Sequence, residues 1–203
     1  MERALTYGYD RLWLIQETKL EEQELIASVL NGNNNAFKDI VKKYESRIAA
    51  TVIGMLGHCT EAEDIGQETF IRLYQSLHKF RGESSLATYL TRIAINLSLN
   101  EIRRRGRHRR TYLTNYEEKI EKLADTANHN EQKEMRELIQ RGLQKLPAKF
   151  RSVIVLRLID GYSTEETANI LNLPVGTVLS RLSRAQMKLK KVLSPLYKGK
   201  DDE

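Results

Sequence analysis

From Glu21 onward the apolar positions recur at helical spacing. Ile40, Val41, Tyr44 and Ile48 form one stripe; Ile65, Phe70, Leu73 and Leu77 form another. Such spacing gives an α-helix one apolar face. The period-two alternation of half-buried strands is absent, so an all-α fold is expected.

Local chemistry marks where helices begin. Thr60-Glu61-Ala62-Glu63 and Ser163-Thr164-Glu165-Glu166 both carry the capping-box pattern, in which a hydroxyl and a carboxylate satisfy free amides. Leu146-Pro147 reads as a boundary, because proline suits the first helical turn. A stripe of Leu86, Leu90, Ile93 and Leu97 predicts a helix that runs into the basic segment Arg103–Arg110 and ends at Gly106.

Between 111 and 132 the periodicity weakens, and Glu117, Glu118, Glu121, Asp125 and Glu131 oppose Lys119 and Lys122. This reads as a linker, part helical and part flexible. Beyond it the pattern predicts helices over 133–145, 148–159 and 164–171. A turn, Asn172-Leu173-Pro174, then precedes a last helix over 175–193. Two helices across a short turn in a basic domain suggest helix-turn-helix DNA binding. Residues 1–20, with Tyr7, Tyr9, Trp13 and Leu14, show no clear periodicity and read as either a loosely packed arm or a partner contact.

Composition narrows the function classes. A chain of 203 residues holds one large domain or two small ones, not a large enzyme. With 40% hydrophobic and 30% charged residues and only 3 prolines it can bury a helical core. The single cysteine, Cys59, excludes an intramolecular disulfide and a cysteine-rich metal site, which fits a reducing cytoplasm. No apolar run reaches the roughly 18 residues of a membrane span, and the first residues do not resemble an export signal. His58-Cys59 reads as structural. The carboxylates over 61–68 lack the histidines or second acidic cluster that would hold Mg²⁺, and there is no glycine-rich phosphate loop. Neither catalysis, cofactor nor metal is expected.

The candidate chemistry is therefore recognition. On the last helix Thr177, Ser180, Arg181 and Arg184 fall on one side, with Val178, Leu182 and Leu189 on the other, a face able to enter the major groove. Six arginines lie within 103–110; so dense a run suits duplex phosphates. The segment Phe80-Arg81-Gly82-Glu83-Ser84-Ser85, with Tyr89 and Asn96 nearby, offers rings and polar groups to an unstacked base. On the residues alone a helix-turn-helix regulator acting without polymerase remains open. It gives no role to Asp64–Phe70 or to the loop at Phe80.

Five segments, in order, carry a resemblance: Glu61-Ala62-Glu63-Asp64-Ile65-Gly66-Gln67-Glu68-Thr69-Phe70; Phe80–Ser85; Thr88-Tyr89-Leu90-Thr91-Arg92-Ile93-Ala94-Ile95-Asn96; Leu146-Pro147-Ala148-Lys149-Phe150-Arg151; and Leu173–Ala185. Over about 24–196 the chain resembles bacterial RNA polymerase sigma factors of the extracytoplasmic-function group. The resemblance implies two small helical domains, a sigma-2 bundle and a sigma-4 helix-turn-helix, joined by a flexible linker. Its boundaries would be an arm (1–20), sigma-2 (21–110), linker (111–132), sigma-4 (133–196) and tail (197–203). The implied partners are core RNA polymerase, through its clamp and flap, and promoter DNA; an anti-sigma factor or a recruiting protein is a further partner class.

Residue by residue, the resemblance assigns Asp64, Gln67, Glu68 and Phe70 to the polymerase clamp. To the minus-ten element it assigns Phe80, Arg81, Gly82, Ser84, Ser85, Tyr89, Arg92, Asn96, Arg103, Arg104 and Arg105. To the minus-thirty-five duplex it assigns Arg157, Thr177, Ser180, Arg181, Ser183 and Arg184. The chain departs from the family in three places: Tyr89 where tryptophan is usual, Leu179 where a basic residue is common, and Gln186 where arginine is common. Losing base or phosphate contacts at the last two predicts weak or altered upstream reading, offset by a recruiting partner, and hence a faint upstream footprint with polymerase alone.

The net charge of +6 is modest. Its distribution is not, since the arginine run equals the whole excess while the linker and the clamp-facing helix are acidic.

Overall fold

A computed structural model describes residues 20–112 and 131–197. The arm over 1–19, the linker interior over 113–130, the tail beyond 197 and the side chains over 108–112, 131–133 and 195–197 lie outside the described residues. Among the described residues there is no strand, as the periodicity predicts.

The N-terminal bundle comprises α1 (20–30), α2 (Asn34–Leu56), α3 (Thr60–Ser76), a 3₁₀ turn (Leu77–Lys79) and α4 (Leu86–Tyr112). Asn33 starts α2: its side-chain oxygen accepts from the amides of Asn35 and Ala36 at 3.0 and 3.3 Å. Gly57, at φ 84°, ends it and donates to the Ile53 carbonyl at 2.8 Å. The face thus defined buries Ile40, Tyr44, Ile48, Val52 and Met55 against Leu73 and Leu77 from α3 and its turn and Leu90 and Ile95 of α4. Glu22 ties α1 to this core by accepting from the Tyr44 hydroxyl and, at 3.4 Å, from the Leu86 amide. Burial and the Glu22 carboxylate together push the Tyr44 phenol well above its ordinary pKa.

The second bundle comprises α5 (Glu131–Gln144), α6 (Ala148–Ile154), a π-helical turn (Val155–Ile159), α7 (Thr164–Leu171) and α8 (Val175–Tyr197). The capping box at Ser163 is present: Glu166 N–H donates to Ser163 Oγ at 3.1 Å and Ser163 N–H to the Glu166 carboxylate at 2.7 Å. Asn172 takes the left-handed conformation between α7 and α8 at φ 51°, a place asparagine tolerates. Leu182 bridges two apolar clusters, one with Phe150, Ile154 and Ala185, the other with Val153, Ala168 and Val178. These contacts set the angle of α8.

Several local expectations are corrected. The helix from Leu86 does not end at Gly106 but continues to Tyr112. Gly106 is not among the glycines at positive φ, and a helical glycine costs only about 1 kcal/mol relative to alanine. Thr60 does not cap α3: Cys59 occupies the N-cap position without a side-chain bond, and Thr60 is already helical. Pro147 stands at the N-cap of α6 rather than inside its first turn. The helix predicted over 148–159 passes into a π turn at Val155, where the Asp160 amide reaches back to the Val155 carbonyl at 2.9 Å.

The largest addition to the sequence reading is a seam between the bundles. Val155, Leu156, Tyr162 and Ile170 belong to the same apolar core as α2 and α4. Gly54 permits the approach, since a Cβ there would lie 3.0 Å from a Val155 methyl carbon. The seam is also polar: the Thr51 hydroxyl lies 2.9 Å from the Asp160 carboxylate, and Arg47 donates to the Asp160 carbonyl at 3.2 Å. The Tyr162 hydroxyl pairs with Thr91 at 2.8 Å and donates to the Ala87 carbonyl at 3.3 Å, while the Arg47 guanidinium stacks 4.8 Å from its ring.

Burial pushes the Asp160 carboxyl up to about 6, against the lowering pull of Thr51 and Arg47. A folded-state pKa above the unfolded value means that the protonated acid is favoured by folding. The stability so contributed is complete below the unfolded pKa and is lost as pH rises through about 6. Moving from pH 7.5 to 5 is therefore expected to stabilise wild type by about 1–2 kcal/mol relative to Asp160→Asn, in which this group cannot titrate. Thermal melts of both chains at the two pH values measure it; parallel shifts would refute the assignment.

Candidate polymerase and DNA interfaces

Helices α2 and α3 enclose an apolar groove of about 540 Å³. Ile48, Ala62 and Phe70 line it as buried residues, Val41 and Ile53 are half-buried along it, and Glu45, Glu63 and Gln67 are exposed at its edges. Its shape suits an apolar segment of another protein rather than a polar small molecule. Asp64 and Gln67 are exposed on α3. Glu68 is half-buried and already paired, at 2.7 Å, with Arg72. Phe70 is only 8% exposed and shapes the groove from within the core.

The loop after α3 is built by its own polar groups. Gly82 adopts φ +70°, a conformation other residues rarely take. Ser85 caps α4 by accepting from the Thr88 amide at 3.2 Å, and its hydroxyl also meets that of Thr88 at 2.9 Å. Phe80 and Tyr89 stand with ring centroids 5.2 Å apart and planes tilted by 60°, and the Tyr89 hydroxyl donates to Ser76 at 3.0 Å. The rings are half-buried, so the core braces them while part of each remains open. Ser84 is half-buried and Arg81 exposed. Along α4, Tyr89, Arg92 and Asn96 succeed one another at three- and four-residue steps, placing them on one side of the helix. Asn96 is exposed, and the buried Arg92 Nε has no protein partner.

The basic run divides. Arg103 is exposed and bonds to Asn100 at 3.0 Å. Arg104 forks onto Glu101 at 2.7 and 3.0 Å yet remains 54% exposed. Arg105, expected on phosphates, turns instead toward the start of α3. It reaches Glu101 at 2.9 Å, Glu61 at 3.1 Å and the Cys59 sulfur at 3.2 Å. Hydrogen bonding from Arg104 holds the Glu101 carboxyl below its ordinary range, with Arg105 adding to the effect. The bond made by its own backbone amide, then the charge of Arg105, does the same for Glu61. Arg105 thus joins α4 to α3, while Arg103, Arg104 and Arg107 are exposed.

On the second bundle α8 carries Arg181, Arg184, Lys188, Lys190 and Lys191 and no Asp or Glu. Ser180, Ser183 and Arg184 are exposed; Thr177 and Arg181 are half-buried. The Ser180 hydroxyl donates to the Thr177 carbonyl at 3.0 Å. Arg157, expected near the same duplex, donates instead to the Tyr162 carbonyl and lies half-buried in the π turn. This bond ties the π turn to the segment that leads into α7. The sequence reading missed Glu22, Arg47, Thr51, Gly54 and Asp160, whose roles depend on residues far away in the chain.

Comparison with known proteins agrees with this division. A Sigma-70 region 2 family model matches residues 40–108, and a Sigma-70, region 4 model matches 136–189. An ECF RNA polymerase sigma factor of Bacillus subtilis, SigW, is 37% identical over 182 residues, covering 84% of this chain and 96% of that protein. The RNA polymerase sigma-H factor of Pseudomonas aeruginosa is 32% identical over 189 residues, covering 89% and 98%. Among solved structures, the sigma factor RpoE of Bartonella quintana, in complex with the anti-sigma factor NepR, has a TM-score of 0.63 at 25% identity and covers 78% of this chain and 96% of its own. CnrH, in complex with the cytosolic domain of CnrY, shares the fold with a TM-score of 0.65 at 24% identity, covering 86% and 98%. No described helix is long and apolar enough to cross a membrane. With two regions in family order, and relatives above 30% identity matched along nearly their whole length, the chain belongs to the extracytoplasmic-function RNA polymerase sigma factors of the sigma-70 family.

Proposed function

We propose that this chain initiates transcription without catalysis of its own, in the cytoplasm, through three surfaces. Asp64, Gln67 and the α2–α3 groove receive the polymerase clamp. Phe80, Arg81, Gly82, Ser84, Ser85, Tyr89, Arg92 and Asn96 capture a flipped base of the minus-ten element, with Arg103 and Arg104 on the adjoining phosphates. Thr177, Ser180, Arg181, Ser183 and Arg184 face the minus-thirty-five duplex. The working units are 21–110 and 133–196.

The observation that carries this reading is the pairing of an open apolar groove and a loop-and-ring site on one bundle with a helix whose charged residues are all cationic on the other. A regulator acting on duplex DNA alone uses only the last. Capture of an unstacked base drives melting in this reading: unstacking costs a few kcal/mol, which stacking and a preformed polar loop offset. A partner of the class seen with the RpoE neighbour, an anti-sigma protein, is a further expected partner.

The test is in vitro transcription with core polymerase and a promoter library. Asn96→Ala is expected to keep polymerase binding and to lower open-complex formation about tenfold, a loss of about 1.4 kcal/mol. Gln67→Ala is expected to weaken polymerase binding instead. If the chain neither binds core polymerase nor redirects it, the proposal fails and the regulator reading stands.

A further inference from the structure

The outward side of α8 is not uniformly polar. Leu179 is 52% exposed and Val175 40% exposed, one helical turn apart on the same flank at the N-terminal end of the helix. Neither helps to hold the bundle together, since the packing side of α8 is supplied by Val178, Leu182 and Ala185. Between them Gly176 leaves open space, with nothing within 4 Å of where a Cβ would stand. These apolar side chains lie on a helix whose charges are all positive. That charge selects a polyanion as the occupant, and the first turns of such a helix are the part that meets base edges in the major groove.

Within the major groove one base carries an apolar group at its edge, thymine with its 5-methyl. A lysine or arginine at this point would bind phosphate or guanine; a leucine can do neither. We infer that Leu179, flanked by Val175, reads a thymine methyl in the upstream duplex. Upstream recognition would then be redirected rather than merely weakened. The inference rests on the reading of α8 as the helix that faces the minus-thirty-five element. It adds the base at one position and the residue that selects it.

The experiment uses the full chain with core polymerase. Promoter fragments with a randomised upstream segment are selected for binding, and each thymine of the selected element is then replaced by deoxyuridine, which removes only the methyl group. At one position this is expected to weaken wild-type binding about three- to fivefold, the effect of one buried methyl. For Leu179→Lys the same replacement should have no effect, and overall binding should become more sensitive to salt by about one phosphate contact. The residue is exposed, so the variant leaves the core intact. Equal binding of thymine and deoxyuridine at every position, with Arg184→Ala still weakening binding, overturns the role of Leu179 alone. Absence of any selected upstream sequence, with no effect of Arg184→Ala, overturns the reading of α8 as well.

Discussion

Arg151→Ala is expected to melt about 10 °C below wild type, a loss of about 3–5 kcal/mol. Arg151 is 7% exposed, and no carboxylate lies among its partners. Its guanidinium donates to the carbonyls of Gln144 at 2.6 Å and Leu146 at 3.0 Å, to the Gln144 side-chain oxygen and to the Met55 carbonyl. Met55 and Gln144 stand in the last turns of α2 and α5, where carbonyls lack helical partners and the helix dipoles are negative. One cation therefore closes two helix ends.

Desolvation lowers its pKa to about 10, with the charge of Arg105 acting in the same direction. It nonetheless stays protonated at neutral pH. Truncation strands these carbonyls without donors in a buried place, each costing about 1–3 kcal/mol. Arg151→Lys is expected to recover only part of the loss, because a single ammonium cannot span the fork. Thermal denaturation followed by circular dichroism reads this directly. An Arg151→Ala melt within about 2 °C of wild type would remove the residue from this structural role.

Gly54→Leu is expected to separate the two bundles. The substitution places a branched side chain where even a Cβ meets Val155 at 3.0 and 3.2 Å and Ile159 at 3.7 Å, all three of these atoms belonging to the other bundle. It also removes a helical glycine from α2, a local gain of about 1 kcal/mol, so the helix itself should survive. The consequence for function is geometric. Elements centred about 25 base pairs apart lie roughly 85 Å apart along duplex DNA at about 3.4 Å per pair. A compact chain of this length has a radius of gyration of only about 17 Å.

On the proposed function the seam would have to open before both elements are held, and the energy that holds it would subtract from promoter affinity. Small-angle scattering should show a larger radius of gyration for Gly54→Leu, and binding of promoter fragments in the presence of core polymerase should strengthen severalfold. An unchanged scattering profile would show that the seam absorbs the side chain. A larger radius with unchanged affinity would show that seam opening does not limit promoter binding.

How far the site was legible in the sequence varies by residue. Arg184 could be placed on its helix face from spacing alone, the Ser163 box and the Asn172 turn came from local chemistry, and Arg92 was assigned only through the family resemblance. Arg105 could not be told from Arg103, because its partners Glu61 and Cys59 lie more than forty residues earlier on another helix. Arg157 looked like a neighbour of the duplex until the turn at Tyr162 brought a carbonyl to it. Gly106 failed as a stop signal because glycine ends a helix only where the backbone turns left-handed, and here it does not.

The sequence by itself determined the helix order, the apolar face of each helix, the helix-turn-helix and the concentration of arginine that falls in the last turns of α4. All of these follow from periods, caps and turn residues that act within a few positions. Only the tertiary structure decided which arginines stay outward, that Leu179 remains exposed beside cations, and that the two bundles close on one another. The physical reason is range: Thr51 meets Asp160 across 109 positions and Arg151 meets Met55 across 96. A hydroxyl, a glycine or a buried arginine carries no periodic signal of the partner it will find there.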